Sequence, residues 1–237
     1  MKRVFLELGG KSAHIVLDDA DFAATIPRDA GTIGMHGGQG CGILSRLLVP
    51  RSRYEEAVEL ATAGLQAVKY GDPNDYEVLQ GPQINARQRD RILGYVNKGI
   101  AGGARLVTGG GRPAHLPHGY FVEPTLFADV DNAMTIAQEE IFGPVLVVIG
   151  FDDDDDAVRI ANDSVYGLAA GVTSASQERA FAVAMRIKAG AAAINGAAWY
   201  GAESPFGGYK SSGLGRQNGL EGFAQYTETK IIAGPLN

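Results

Sequence analysis

The sequence predicts an α/β protein built on a doubly wound, mostly parallel sheet. Short apolar runs of strand character alternate with segments of helical spacing, the pattern of strands joined by crossover helices. Glycine, at 33 of 237 residues, punctuates that alternation. The composition, 45% hydrophobic and 20% charged, is ordinary for a globular chain able to bury a core.

Apolar, strand-like runs fall at residues 13–17, 47–49, 145–151, 168–173 and 191–194. Between them, residues 54–68 place Val58, Ala61, Leu65 and Val68 on one helical face, and residues 86–100 do the same with Ile92, Val96 and Ile100. Two more helices are expected over about 153–162 and 177–188. The acidic run 152–156 opens the first of these, where carboxylates interact favourably with the helix dipole. That reading is preferred to a metal site, because no further ligands lie at a suitable spacing. Internal repeats and low-complexity linkers are absent.

A net charge of −6 argues against a general polyanion binder. A single cysteine excludes an internal disulfide, and four scattered histidines add little to a metal case. No apolar run approaches the roughly 20 residues that span a bilayer. Met1-Lys2-Arg3-Val4 lacks the apolar stretch of a secretory signal, so a cytoplasmic protein is expected. Two glycine clusters imitate phosphate loops. Gly9-Gly10-Lys11-Ser12 lacks the earlier glycine of a P-loop, where Phe5 stands, and Gly38-Gln39-Gly40-Cys41-Gly42 has the wrong spacing for a dinucleotide fingerprint.

Cys41 stands among small neighbours that leave room for a substrate carbon at sulfur and for a backbone N–H to face an oxyanion. A buried cysteine acting as a small hydrophobe is the alternative, and the commoner fate of a lone thiol. Glu7 lies in the apolar stretch Val4-Phe5-Leu6-Glu7-Leu8. Partly desolvated, it suits general-base work; otherwise it forms an ion pair with Lys11 or Arg3.

Taken together, the motifs resemble the aldehyde dehydrogenase superfamily over essentially the whole chain. The glutamate motif reads Leu6-Glu7-Leu8-Gly9-Gly10-Lys11-Ser12 and the cysteine motif Gly38-Gln39-Gly40-Cys41, at the family's spacing. Glu139-Glu140-Ile141-Phe142-Gly143-Pro144-Val145, Ala161-Asn162-Asp163 with Tyr166-Gly167-Leu168, and Asn195 ahead of Ser204-Pro205-Phe206-Gly207-Gly208-Tyr209-Lys210 follow in family order. The resemblance implies a catalytic domain over residues 1–223, with a tail strand over 224–237 used in oligomerisation. It implies that an ionised Cys41 attacks an aldehyde and that Glu7 activates water against the thioester. The cofactor would be NAD or NADP, held by Glu140 and Phe142, with Gln88 and Arg91 as further candidates. Trp199, Tyr200 and Phe206 would line the substrate tunnel and favour apolar aldehydes. No metal is required.

The sequence departs from the family at Gly40 and Ile43-Leu44 around the cysteine, and at Gln217 after Arg216. Pro27 is expected to kink or end early the helix leading to the cysteine loop. In relatives the preceding half carries the dinucleotide-binding domain, an oxyanion-hole asparagine and a lysine on the adenine ribose; Asn195 matches a different position. The expectation is therefore a fragment or truncated frame, or a chain whose partner supplies that half. Partners would be an aldehyde and further copies of the chain, with Glu228 pairing to Arg216 and Arg3. Two other readings stay open: a cofactor-free thiol esterase, for which His36 is a weak candidate base, and an inactive assembly subunit.

Overall fold

The computed structural model describes residues 2–198 and 200–235. The chain starts with a two-residue strand, β1 (Leu6–Glu7), followed by β2 (Ser12–Val16) and helix α1 (Phe22–Gly31). Asp21 caps α1 by accepting a hydrogen bond from Ala24 N at 3.0 Å. A kinked 3₁₀ segment, Thr32–Gly38, leads into the cysteine loop and β3 (Leu44–Pro50). Helices α2 (Tyr54–Gln66) and α3 (Ala86–Ala101) come next, then β4 (Arg105–Thr108), β5 (Thr125–Ala128), the single turn α4 (Thr135–Gln138) and β6 (Val145–Phe151). The second half adds α5 (Asp154–Asn162), β7 (Tyr166–Gly167), β8 (Ala169–Thr173), α6 (Gln177–Ala184) and β9 (Ala191–Ile194). It closes with β10 (Tyr209–Lys210), β11 (Gly213–Leu214) and α7 (Gly219–Ala224).

Seven strands pair in the order β4-β5-β6-β3-β2-β8-β9, all parallel except β4 at its edge. Alternate residues leave a strand on opposite faces, and both faces are covered. Ile15, Leu48, Phe127, Val147, Ile149 and Val172 pack on one side with Ile92 and Val96 of α3 and with α5 and α6. Val16, Leu47, Val49, Leu126 and Val148 pack on the other against Phe22 and Ile26 of α1 and Val58 and Leu65 of α2. This is the expected doubly wound sheet.

Pro27 does not end α1, which continues to Gly31. Its lost backbone donor is compensated by packing: a Cβ at Gly64 of α2 would lie 2.3 Å from the Pro27 carbonyl oxygen, so glycine there lets the two helices close on the proline. The helix expected over 177–188 stops at Ala184, because Arg186 and Ile187 donate to Val183 and Ala184 in tighter, three-residue bonds. The acidic run sits as expected at the start of α5, with Asp153 capping Asp156 N. Its members pair with arginines: Asp152 with Arg51, Asp154 with Arg179, Asp155 with Arg186 and Asp156 with Arg159. No metal-like cluster of His, Cys, Asp and Glu occurs among the described residues. None of the described helices is long and apolar enough to cross a membrane.

The tail expected to start at 224 begins within α7, and residues 227–235 form no strand in the single chain. A strand needs a partner for its backbone groups. Glu228 does pair with Arg3, whereas Arg216 turns to the carbonyls of Gly208 and Gly215.

Candidate active site

Three loops meet at the amino edge of the sheet. Glu7 precedes β2, Cys41 precedes β3 and Glu140 precedes β6, and these three strands are neighbours in the order β6-β3-β2. Parallel register carries all three loops to one edge, opposite to the carboxyl edge where open α/β sheets usually bind ligands.

Glycines let the loops touch. A Cβ on Gly10 would lie 2.6 Å from the Cys41 carbonyl oxygen, and one on Gly9 would strike the Glu140 carboxylate. One on Gly38, at φ +73°, would lie 2.1 Å from the Gly143 carbonyl carbon. The clusters that imitate phosphate loops are therefore points of close backbone approach.

Glu7 and Cys41 stand side by side on one cavity, each shifting the other's proton affinity, and Glu7 Oε1 is buried without a hydrogen-bond partner. Burial raises the Glu7 carboxyl above its ordinary value; the adjacent Cys41 thiol offsets part of this and the nearby Glu140 charge adds to it. Burial, followed by the Glu7 charge, pushes the Cys41 thiol up to about 11, against the stabilising Gly42 and Cys41 N–H groups. In this arrangement the sulfur keeps its proton and Glu7 stands as the acceptor. Neither ion pair expected of Glu7 forms: Arg3 binds Glu228 and Thr227, and the Lys11 ammonium has no hydrogen-bond partner.

Cys41 and Glu7 open onto a cavity of about 640 Å³, walled in part by Met35, Ile43, Val172, Tyr200 and Phe206. Tyr200 and Phe206 meet edge to face, with ring centres 5.3 Å apart. Trp199 lies outside the described residues. His36, left-handed at φ 50°, borders this cavity, and so does Gln217. Sequence reasoning missed its polar floor: His14 Nε2 lies 2.9 Å from Thr173 Oγ1 and 3.6 Å from Asp29, which Arg28 holds through two bonds. β2 is buried on both faces, so its sequence does not tell what position 14 meets.

On the other side of the cysteine loop, Glu140 Oε1 accepts from Gly10 N at 2.9 Å. Phe142 is left-handed at φ 58° and its ring is partly exposed. A half-buried carboxylate beside an exposed ring fits one wall of a nicotinamide-ribose site. Gln88 and Arg91 reach the same loop, but their donors go to its carbonyls, Gln88 to Ile141 and Phe142 and Arg91 to Glu140 and Ile141.

Two buried cations lie behind the loops, and they differ. Arg46 donates to Lys11 O, Asn132 Oδ1, Ile160 O and Ala161 O, tying β3 to β2 and to the end of α5. Lys11 is equally buried and unsatisfied, and burial, with the Arg46 charge, lowers its ammonium to about 7.

The parallel α/β sheet thus gathers a cysteine and two carboxylates at one edge, beside an open cavity. The chain belongs to the aldehyde dehydrogenase family, whose model matches residues 1–232. It is 45% identical over 235 residues to 3-succinoylsemialdehyde-pyridine dehydrogenase of a Pseudomonas species, covering 99% of this chain and 49% of that protein. Betaine aldehyde dehydrogenase of Brucella melitensis is 44% identical, over 98% of this chain and 48% of its own length. The chain thus spans about half the length of the curated relatives it matches. Among solved structures, Mycobacterium tuberculosis aldehyde dehydrogenase complexed with NAD+ superposes with a TM-score of 0.95 at 51% identity, covering 98% of this chain and 48% of that one. A cysteine-to-alanine mutant of Pseudomonas syringae aldehyde dehydrogenase C, complexed with NAD+ and octanal, gives 0.97 at 44%, covering 100% and 49%.

Proposed function

We propose that this chain is the catalytic portion of an NAD(P)-dependent aldehyde dehydrogenase, with Cys41 as nucleophile and Glu7 as general base. The observation that carries the reading is the placement of Glu7 beside Cys41 on a largely apolar cavity. As Sγ bonds to the aldehyde carbon, Glu7 takes the thiol proton and the Cys41 backbone N–H faces the developing oxyanion. An oxidised nicotinamide held against Glu140 and Phe142 would supply the hydride acceptor, leaving the acyl group on Cys41 as a thioester. Glu7, its proton returned to solvent, then draws one from water, whose oxygen attacks the thioester carbon and releases the acid with the Cys41 thiol. Glu140 and Phe142 would hold the nicotinamide end, and the apolar wall with Tyr200 and Phe206 favours an aromatic or medium-chain aldehyde. The neighbour solved with octanal supports that substrate class. The tail from 226 to 232 would find its strand partner in another subunit of the assembly.

The test uses the purified chain beside Cys41→Ala, with NAD or NADP and a panel of apolar aldehydes, and with p-nitrophenyl acetate as a nicotinamide-free substrate. Aldehyde-dependent cofactor reduction lost in the variant supports the full reading. Ester turnover without reduction supports the Cys41–Glu7 pair alone. An ester rate equal in the two proteins would remove Cys41 from the chemistry.

A further inference from the structure

The face of α3 turned toward the Glu140 loop carries Gln88, Arg91 and Tyr95, one and two helical turns apart. Gln88 Nε2 donates to Phe142 O at 2.7 Å and to Ile141 O at 3.2 Å. Arg91 donates to Ile141 O at 2.5 Å through NH1 and to Glu140 O at 2.7 Å through NH2. Tyr95 lies under the Arg91 guanidinium, 5.0 Å from its ring centre, and donates its hydroxyl to Glu139 Oε2 at 2.6 Å. Three consecutive carbonyls are thus held by side chains of one helix. The turn they hold is strained, because Phe142 adopts a left-handed conformation unfavourable to a bulky residue. It is also pressed from both sides: a Cβ on Gly143 would meet Ile92 of α3 at 2.4 Å, and Gly38 of the cysteine loop backs onto Gly143.

We infer that Gln88 and Arg91 are positioning residues which hold the 140–142 turn so that the Glu140 carboxylate stays on the Gly10 amide beside Glu7 and Cys41. They act through the backbone; to touch a nucleotide directly they would have to release these carbonyls. The result is a hydrogen-bonded chain from α3 through Glu140 to Gly10, whose Cα abuts the Cys41 carbonyl. The nucleotide wall and the nucleophile are thereby set in register by one helix. The importance of this for turnover rests on the dehydrogenase reading; the placement itself does not.

Amide hydrogen exchange, measured by NMR on the whole chain, tests the clamp without turnover. Arg91→Met keeps the aliphatic stem and removes the forked donor, so Gly10 N–H should exchange about tenfold faster. Amides of Val148 and Val172 in the central sheet should not change. Arg91→Lys should restore part of the protection, and Gln88→Leu should give a smaller effect of the same sign in a milder background. In a Glu140→Ala background, where Gly10 has already lost its acceptor, Arg91→Met should add nothing. Unchanged Gly10 exchange in Arg91→Met would overturn the inference. Equal acceleration at Gly10 and in the sheet would also overturn it, leaving Arg91 a merely stabilising residue. Failure of cofactor reduction with the Gly10 result intact would count against the dehydrogenase reading alone.

Discussion

On one side of Cys41 lies a cavity of about 640 Å³ walled by Met35, Ile43, Val172 and two aromatic rings; on the other lies a space of about 10 Å³ where Gly10, Gly38, Gly143 and Lys11 crowd around Glu140. The first wall is made of side chains, which can change size and rotamer. The second is made of backbone against backbone, fixed by hydrogen bonds and by glycines that admit no Cβ. Variation in what is bound therefore belongs to the open side, and constancy of geometry to the closed one.

The sharpest way to break this contrast is one methyl group on each side. Gly38→Ala would set a Cβ 2.1 Å from Gly143 on a left-handed residue, and it should cost about 4 kcal/mol or more, read as the urea midpoint of unfolding. A variant as stable as the parent would show that the closed wall yields.

Lys11 gives a smaller effect with a distinctive pH signature. Below about 7 its ammonium is charged in both states and the burial cost is felt in full. Between about 7 and the ordinary 10.5 only the unfolded chain keeps the proton, so stability rises with pH across that window. Lys11→Met should gain about 1 kcal/mol at pH 7, and its advantage should shrink by pH 9. Thermal midpoints of both proteins from pH 6 to 9 measure this, and a constant difference would mean that the folded chain keeps the Lys11 proton throughout. Smallest of all, Gly40→Ala faces only the Ile43 side chain at 2.9 Å, which can turn toward the open cavity. It should cost less than about 1 kcal/mol by the same urea assay.

Legibility in the sequence follows the same division. Strands 145–151 and 191–194 match their expected ends, and the helices expected at 54 and 86 start there, because apolar runs and an apolar helical face are local signals. β4 and β5 passed unread: each has four residues, and β5 is buried throughout, so neither alternation nor length marks it. Cys41 and Glu7 were legible as a motif pair, and adjacent parallel strands explain why their spacing brings them together. The state of the thiol was not legible. Attack through an ionised Cys41 is what the motif pair implies; that burial and the Glu7 carboxylate keep the proton on the resting sulfur depends on contacts distant in sequence. That Gln88 and Arg91 donate to the carbonyls of the 140–142 turn is not legible either, because the orientation of a side chain toward a carbonyl some 50 positions away has no local signature.

The high proton affinity of Cys41 has a consequence for survival between turnovers. With its acidity suppressed to about 11, roughly one sulfur in ten thousand is ionised at neutral pH. The thiolate, and not the thiol, is the nucleophile that attacks peroxide and disulfides. The resting thiol is therefore a poor target for oxidants, and becomes a better one whenever something in the site draws the proton away.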